Sequence, residues 1–275
     1  MNDVFSGLPW SDLRIEDIAI FRQFVADNGL PALLGAAGVM FFGGLVKGAI
    51  GFALPMIALA GLGAFLPAHT AIALMVLATL IANVWQAFAF GAAAFLRSFR
   101  DYWVLNVTLL PMIAIGTQFL PQIDERVVFL IIGIAVSAFA LLQIVGYRPP
   151  DPTAYAKPVE AVIGISAGAL GGVAGAWGPP ITFYLLARRT PPADQVLAMG
   201  VSFLLGAIVL SGGLAVSGVL NAETWPLSLA GSVPVLIGMW VGLRIQPLLN
   251  PRTFRRLTLF MLVFAGLNLL RRGLI

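Results

Sequence analysis

Cysteine is absent from this 275-residue chain, histidine occurs once, and only 10% of the residues are charged. The first absence removes disulfides, thiol nucleophiles and thiolate metal sites. The lone histidine, His69, follows Pro67 in a loop-like stretch and reads as a solvated side chain rather than a metal ligand. A soluble domain carries about 25% charged residues, so the shortage of charge points to a different solvent. None of the 12 acidic residues lies deep inside an apolar run, which argues against a carboxylate-lined cation pathway. No cluster of His, Asp and Glu in those runs offers the groups for a membrane-embedded reaction, so an enzyme is not expected. The phosphate-cradling patterns GxxxxGKS and GxxxxGKT do not occur, which removes the usual route to nucleotide-driven work. Ten-residue segments of alternating polarity are also missing, and with them a membrane β-barrel.

What the chain has is apolar length. Hydrophobic residues make up 60% of it, and runs near the ~20 residues that cross a bilayer recur from Leu30 onward. The fold expected is an all-α polytopic membrane protein. The net charge of +4 is not the footprint of nucleic acid, because the basic residues stand in short clusters between apolar runs: Arg97 and Arg100, Arg188 and Arg189, Arg252, Arg255 and Arg256. Such clusters are orientation signals. Residues 1–29 hold Asp3, Asp12, Glu16, Asp17 and Asp27 without a basic start, unlike a signal peptide. Ile15, Ile18, Phe21 and Val25 share one helical face, so 11–26 is expected to lie along the membrane interface as an amphipathic segment.

The chain also repeats itself. Shifted by 124 residues, GLVKGAIGFALP falls on GALGGVAGAWGP. Gly44 then meets Gly168, Gly48 meets Gly172, Gly51 meets Gly175, Pro55 meets Pro179, and further on Pro67 meets Pro191. Later the register drifts, pairing Pro111 with Pro234 and Pro121 with Pro247. We read an N-terminal segment 1–29, a first transmembrane repeat 30–147, a proline-rich linker 148–157 and a second repeat 158–275. Each repeat holds five apolar pieces: 30–50, 53–66, 70–95, 102–121 and 126–146, then 159–176, 179–187, 195–217, 225–246 and 254–270. The second piece of each set is short. Nine helical residues reach only ~14 Å, about half a membrane, so the total is about 8–10 membrane segments, with the broken pieces either re-entrant hairpins or crossings.

Charge decides the parity. With the first two pieces taken as a hairpin or as two crossings, one side receives Arg97, Arg100, Arg148, Lys157, Arg188, Arg189, Arg244, Arg252, Arg255 and Arg256. The other side receives Arg14, Arg22, Arg126, Arg271 and Arg272. Taken instead as one continuous crossing, the broken pair leaves the two sides nearly equal in basic charge. The biased arrangement gives each repeat an odd number of crossings, so the two are inverted. It places the linker in the cytoplasm and both termini in the periplasm of a bacterial inner membrane.

Inverted repeats with Gly/Pro-broken segments at matching positions point to a transport site near mid-membrane. Irregular backbone survives at that depth only inside protein or around a water-filled cavity, and the freed N–H groups at a half-helix N-terminus favour an anion. Lys47 stands one residue before the first glycine of GAIGFALP. A lysine at membrane depth costs about 2.5–3.5 kcal/mol. It either adds cationic charge to an anion site or snorkels to the interface where its helix ends. Asn83 and Gln86, one turn apart on one helical face, are further polar candidates. So are Gln118, which pairs with Arg244 in the shifted register, and Trp177, Thr182 and Tyr184 around the second break. Taken singly, each of these reads as an interhelical hydrogen bond or an interface anchor, and the glycine-rich faces as close helix packing. Their repetition beside a proline break is what points to a site.

At the two breaks, FFGGLVKGAIGFALPMIALAGLGAFLP and GISAGALGGVAGAWGPPITFYLLARRTPP, the chain resembles the sulfite exporter TauE/SafE family of membrane permeases, over about 30–272. The resemblance implies a secondary permease for a small anion such as sulfite, a sulfonate or a related organosulfur anion. It implies a substrate path lined by Gly48, Gly51, Pro55, Gly172, Gly175, Gly178 and Pro179. Many members carry three consecutive glycines at each break, where this chain places Phe52 and Trp177. That departure leaves room for a larger organic sulfonate or a carboxylate. The partners expected are a small anion and the lipid bilayer, with self-association left open and no cofactor. A non-transport assembly role in the membrane is the reading from a different class.

Overall fold

Glycine and proline set the helix boundaries. The fold is described by a computed structural model covering residues 19–147, 149–152, 155–248 and 250–275. Its helices are α1 (Ala19–Asn28), α2 (Leu30–Ile50), α3 (Leu54–Leu62), α4 (Ala68–Phe88), α5 (Ala92–Asp101), α6 (Trp103–Phe119), α7 (Glu125–Ile144), α8 (Ala156–Ala174), α9 (Gly178–Ala187), α10 (Pro192–Val216), α11 (Thr224–Ala230), α12 (Ser232–Ile245) and α13 (Pro251–Leu274). Among the described residues no strand occurs. Seven segments among the described residues are long and apolar enough to cross a membrane: α2, α4, α6, α7, α10, the α11–α12 segment and α13. Large apolar side chains such as Leu34, Ile134, Val162 and Phe264 are exposed, as lipid-facing positions should be.

Four helix pairs hold the bundle together. In a lipid solvent they associate through close packing rather than through the hydrophobic effect, and small residues make that approach possible. α2 and α12 run side by side in the same direction: a Cβ on Gly44 or Gly48 would overlap the carbonyl of Val235 or Met239, and one on Gly238 or Gly242 that of Phe41 or Leu45. α8 and α6 do the same in the other part of the chain. Gly168 faces the Leu109 carbonyl, and Gly172 faces Ile113 and Gly116. The other two pairs are antiparallel. In α7 and α13, Gly133 faces Gly266 and Leu270 while Gly273 faces Arg126 and Leu130. In α4 and α10, Asn83 reaches Phe203 and Gln86 reaches Val196.

Several sequence expectations are corrected. The piece 70–95 stops at Phe88, because Gly91 at φ 84° turns the chain into the separate helix α5. Arg97 and Arg100 therefore stand on a helix that packs Ala94 against Leu197 and Val201 of α10. The piece 225–246 is interrupted at Gly231, between α11 and α12. His69 is not merely solvated: its Nε2 lies 3.1 Å from the Leu120 carbonyl oxygen and its Nδ1 3.7 Å from Glu125. Of the interfacial segment 11–26, residues 11–18 lie outside the described residues. The helix that follows, α1, buries Phe24 and packs on α2 and α11.

Candidate functional site

Both breaks are made by the same backbone device. α2 ends at Gly51, whose φ of 83° is left-handed and whose N–H donates to the Lys47 carbonyl at 2.7 Å. Gly175, at φ 61°, closes α8 by donating to the Gly171 carbonyl at 2.8 Å. This is the glycine C-cap. Proline then restarts each half-helix, Pro55 in the first turn of α3 and Pro179 in that of α9, where its missing N–H does no harm. Between Gly51 and α3 sits Ala53 at φ 79°, a left-handed conformation that costs a non-glycine residue about 1–2 kcal/mol. Ala53→Gly is therefore expected to stabilise the protein by roughly 1 kcal/mol, read as a higher thermal midpoint in detergent.

Lys47 does not snorkel. Its side chain is 2% exposed, and its ammonium donates to Asn83 Oδ1 at 2.6 Å and to Gln86 Oε1 at 2.5 Å. The two amides cannot turn round, because Asn83 Nδ2 donates to the Phe203 carbonyl at 3.1 Å and Gln86 Nε2 to the Val196 carbonyl at 3.0 Å. α10 thus fixes both amides on α4, and they in turn hold the lysine of α2. An ammonium has three N–H donors, and the third has no partner among the described residues. No carboxylate lies in this cluster. Lys47, Gly48, Gly51 and Gln86 border a cavity of about 380 Å³, with Trp85, Val196, Met239 and Gln246 on its other walls. The cluster is level with the last turns of α4, nearer one end of the bundle than its middle.

Phe203 stands between the Lys47 ammonium and Trp177 of the second break. Its ring centre is 5.9 Å from the Lys47 ammonium and 6.2 Å from the Trp177 ring, edge to face. Beyond it Phe52, Pro55, Gly175, Trp177 and Gly178 converge on a narrow space of about 10 Å³, at the lower limit for a single water. At the α3 N-terminus Leu54 and Met56 have N–H groups without intrahelical partners. At α9 the successive Pro179 and Pro180 leave only Gly178 in that position. The breaks are also complementary in volume. Lys47 and Ala53 align with Gly171 and Trp177, and the Trp177 ring lies against Gly171 and Gly206. A tryptophan therefore fills in the second break the kind of space that a lysine takes in the first.

Not every candidate comes together here. Gly172 packs on Gly116 of α6 rather than on the breaks. Gln118 is exposed, bonded to Thr117 and weakly to the Gly213 carbonyl. Arg244 is exposed too, stacked over Trp240 at 5.1 Å. Thr182 bonds back to the Gly178 carbonyl at 2.8 Å within α9. The role of Phe203 carries no polar signal in the sequence, and Glu160, near the start of an apolar run, gives no sign there of being a buried carboxylate. Its side chain is fully buried and receives the Tyr184 hydroxyl and the Lys157 ammonium, each at 2.9 Å, with Arg188 at 3.4 Å. This knot ties the outer end of α9 to the start of α8. Across the molecule Arg272 performs the matching task for α3, donating to the Gly63 and Leu66 carbonyls with its guanidinium over the Phe129 ring.

Seven apolar helices, two half-length helices that meet at glycine breaks, and a buried cation beside a cavity define a multi-pass membrane transporter. Residues 36–269 match the sulfite exporter TauE/SafE family, and the chain belongs to that family. Neither the curated proteins nor the solved structures gave a match. Family membership makes the protein a permease of the membrane, acting on a small substrate across the lipid bilayer.

Proposed function

We propose that the protein is a secondary transporter of a sulfur-containing anion, sulfite or a small organic sulfonate, across a bacterial inner membrane. The observation that carries this reading is Lys47: a buried ammonium with one free donor, held by neutral amides and facing a cavity. A buried charge without a counter-ion is expensive, and an entering anion supplies the missing charge. The cavity of about 380 Å³ has room for an organic group as well as for sulfite. From there the anion passes Phe203 to the N-termini of the half-helices, where partial positive charge receives it. That step requires the Phe52, Trp177 and Phe203 rings to part. The energy comes from an ion gradient or from the substrate's own gradient.

The two halves, 30–147 and 158–275, are inverted repeats in this scheme. Support comes from α4 with α10 and α7 with α13, sequence-equivalent helices that pair antiparallel, because a two-fold axis along the membrane normal would leave equivalent helices parallel. Residues 97–100, 147–158 and 244–256 face the cytoplasm and both termini the periplasm. Flux into proteoliposomes tests the substrate class, with sulfite, sulfate, a short alkanesulfonate and a carboxylate of equal carbon number offered in parallel. Saturable flux of a sulfur oxyanion above that of the carboxylate is expected. A preference for the carboxylate would replace the substrate class, and flux no greater than in empty liposomes would overturn transport of these anions.

A further inference from the structure

A second basic cavity lies away from Lys47 and the breaks. About 440 Å³ in volume, it opens where the C-terminal end of α7 meets the first turns of α13, with Leu186 of α9 on its inner wall. Two of its lining side chains are linked: Arg255 donates through Nη2 to Gln143 Oε1 at 2.7 Å. Each then has a buried donor left over, Arg255 Nε and Gln143 Nε2, with no hydrogen-bond partner. Leaving such donors unpaired costs about 1–3 kcal/mol each, more for a charged group. Arg256, whose guanidinium lies 5.9 Å over the Phe260 ring, also lines the cavity, and no carboxylate is among the described residues lining it. The described lining thus carries positive charge without a negative partner. Gly146 and Tyr147 complete the rim, and Ile144, Leu186 and Leu259 form an apolar wall.

We propose that this cavity binds the phosphodiester headgroup of an anionic membrane lipid. Phosphate oxygens would accept from the Arg256 guanidinium and, once the buried Arg255–Gln143 pair turns toward the cavity, from Arg255 Nε and Gln143 Nε2, a charge-assisted set of the kind that selects phosphate. The apolar wall suits the glycerol ester and the upper acyl chain, which inorganic phosphate lacks. The position agrees with the chemistry, since basic pockets between transmembrane helices on the cytoplasmic side recruit anionic headgroups, and the proposed topology places this end of the bundle there. The site binds lipid whichever anion the protein transports.

The test uses the full chain, delipidated in neutral detergent, then offered phosphatidylglycerol, phosphatidylcholine or inorganic phosphate. Bound lipid is counted by native mass spectrometry and the thermal midpoint followed by tryptophan fluorescence. Phosphatidylglycerol should be retained in preference to phosphatidylcholine and should raise the midpoint. Arg256→Gln, whose side chain is exposed and whose loss spares the Arg255–Gln143 bond, should weaken retention roughly fivefold. Arg255→Gln together with Arg256→Gln should weaken it further. Equal retention of the two lipids, or wild-type retention by the double variant, would overturn the site. A midpoint rise with inorganic phosphate equal to that with phosphatidylglycerol would assign the cavity to free phosphate and overturn the lipid.

Discussion

Lys47→Met should reduce substrate-dependent flux roughly 10- to 100-fold, the loss expected when a hydrogen bond to a charged group worth about 1.5–3 kcal/mol is removed. The stability of the variant should change little, because two effects oppose each other. Methionine keeps most of the apolar stem and relieves a buried charge, yet it leaves Asn83 Oδ1 and Gln86 Oε1 without the donor they now share. A normal elution profile and a thermal midpoint near wild type establish that the fold survives. Lys47→Arg tests shape at constant charge. A planar guanidinium is larger than an ammonium, and the pocket closed by Asn83, Gln86 and Phe203 has been sized for the smaller group, so partial flux is expected. Unaltered flux in the methionine variant, at matched protein levels, would remove Lys47 from the anion path.

What was readable in the sequence follows from where the chemistry is local. The apolar piece 30–50 is α2, Leu30–Ile50, and the piece 179–187 is α9, Gly178–Ala187. Both are bounded by glycine and proline, whose backbone preferences act through neighbouring residues alone. Lys47 stood out because an ammonium in an apolar run is costly wherever the run folds. Its partners did not stand out in the same way. Asn83 and Gln86 lie 36 and 39 residues further along, and only the packing of α2, α4 and α10 brings their carbonyls to one nitrogen. Glu160 was hidden for a related reason: two residues beyond Pro158 it reads as the polar start of a helix, and only the return of α9 buries it under Tyr184 and Arg188. The end of α4 at Phe88 was missed because Ala92–Leu96 continues an apolar composition, and composition does not register the turn at Gly91.

The glycines are where position in the sequence and role in the structure part company, and substitution should separate them. Gly172 aligns with Gly48 and stands three residues before the second break, so by sequence it belongs with the substrate path. In the structure a Cβ there would come within 2.6 Å of the Ile113 carbonyl oxygen and 2.7 Å of the Gly116 Cα. Those atoms are helix backbone and cannot turn aside, so α6 and α8 would have to separate along their whole contact. Overpacking typically costs 1–3 kcal/mol and sometimes more, and in lipid no hydrophobic effect compensates for a lost helix contact. Gly172→Val should therefore lower the thermal midpoint and the yield of membrane-inserted protein sharply, with flux falling in proportion to folded protein. Gly38 provides the control from the same kind of sequence. A Cβ there meets nothing within 4 Å, and alanine is the better helix former by about 1 kcal/mol, so Gly38→Ala should hold or raise the midpoint with flux unchanged. A Gly172→Val protein that melts like wild type yet has lost its flux per folded molecule would return Gly172 to the substrate path and overturn the packing role.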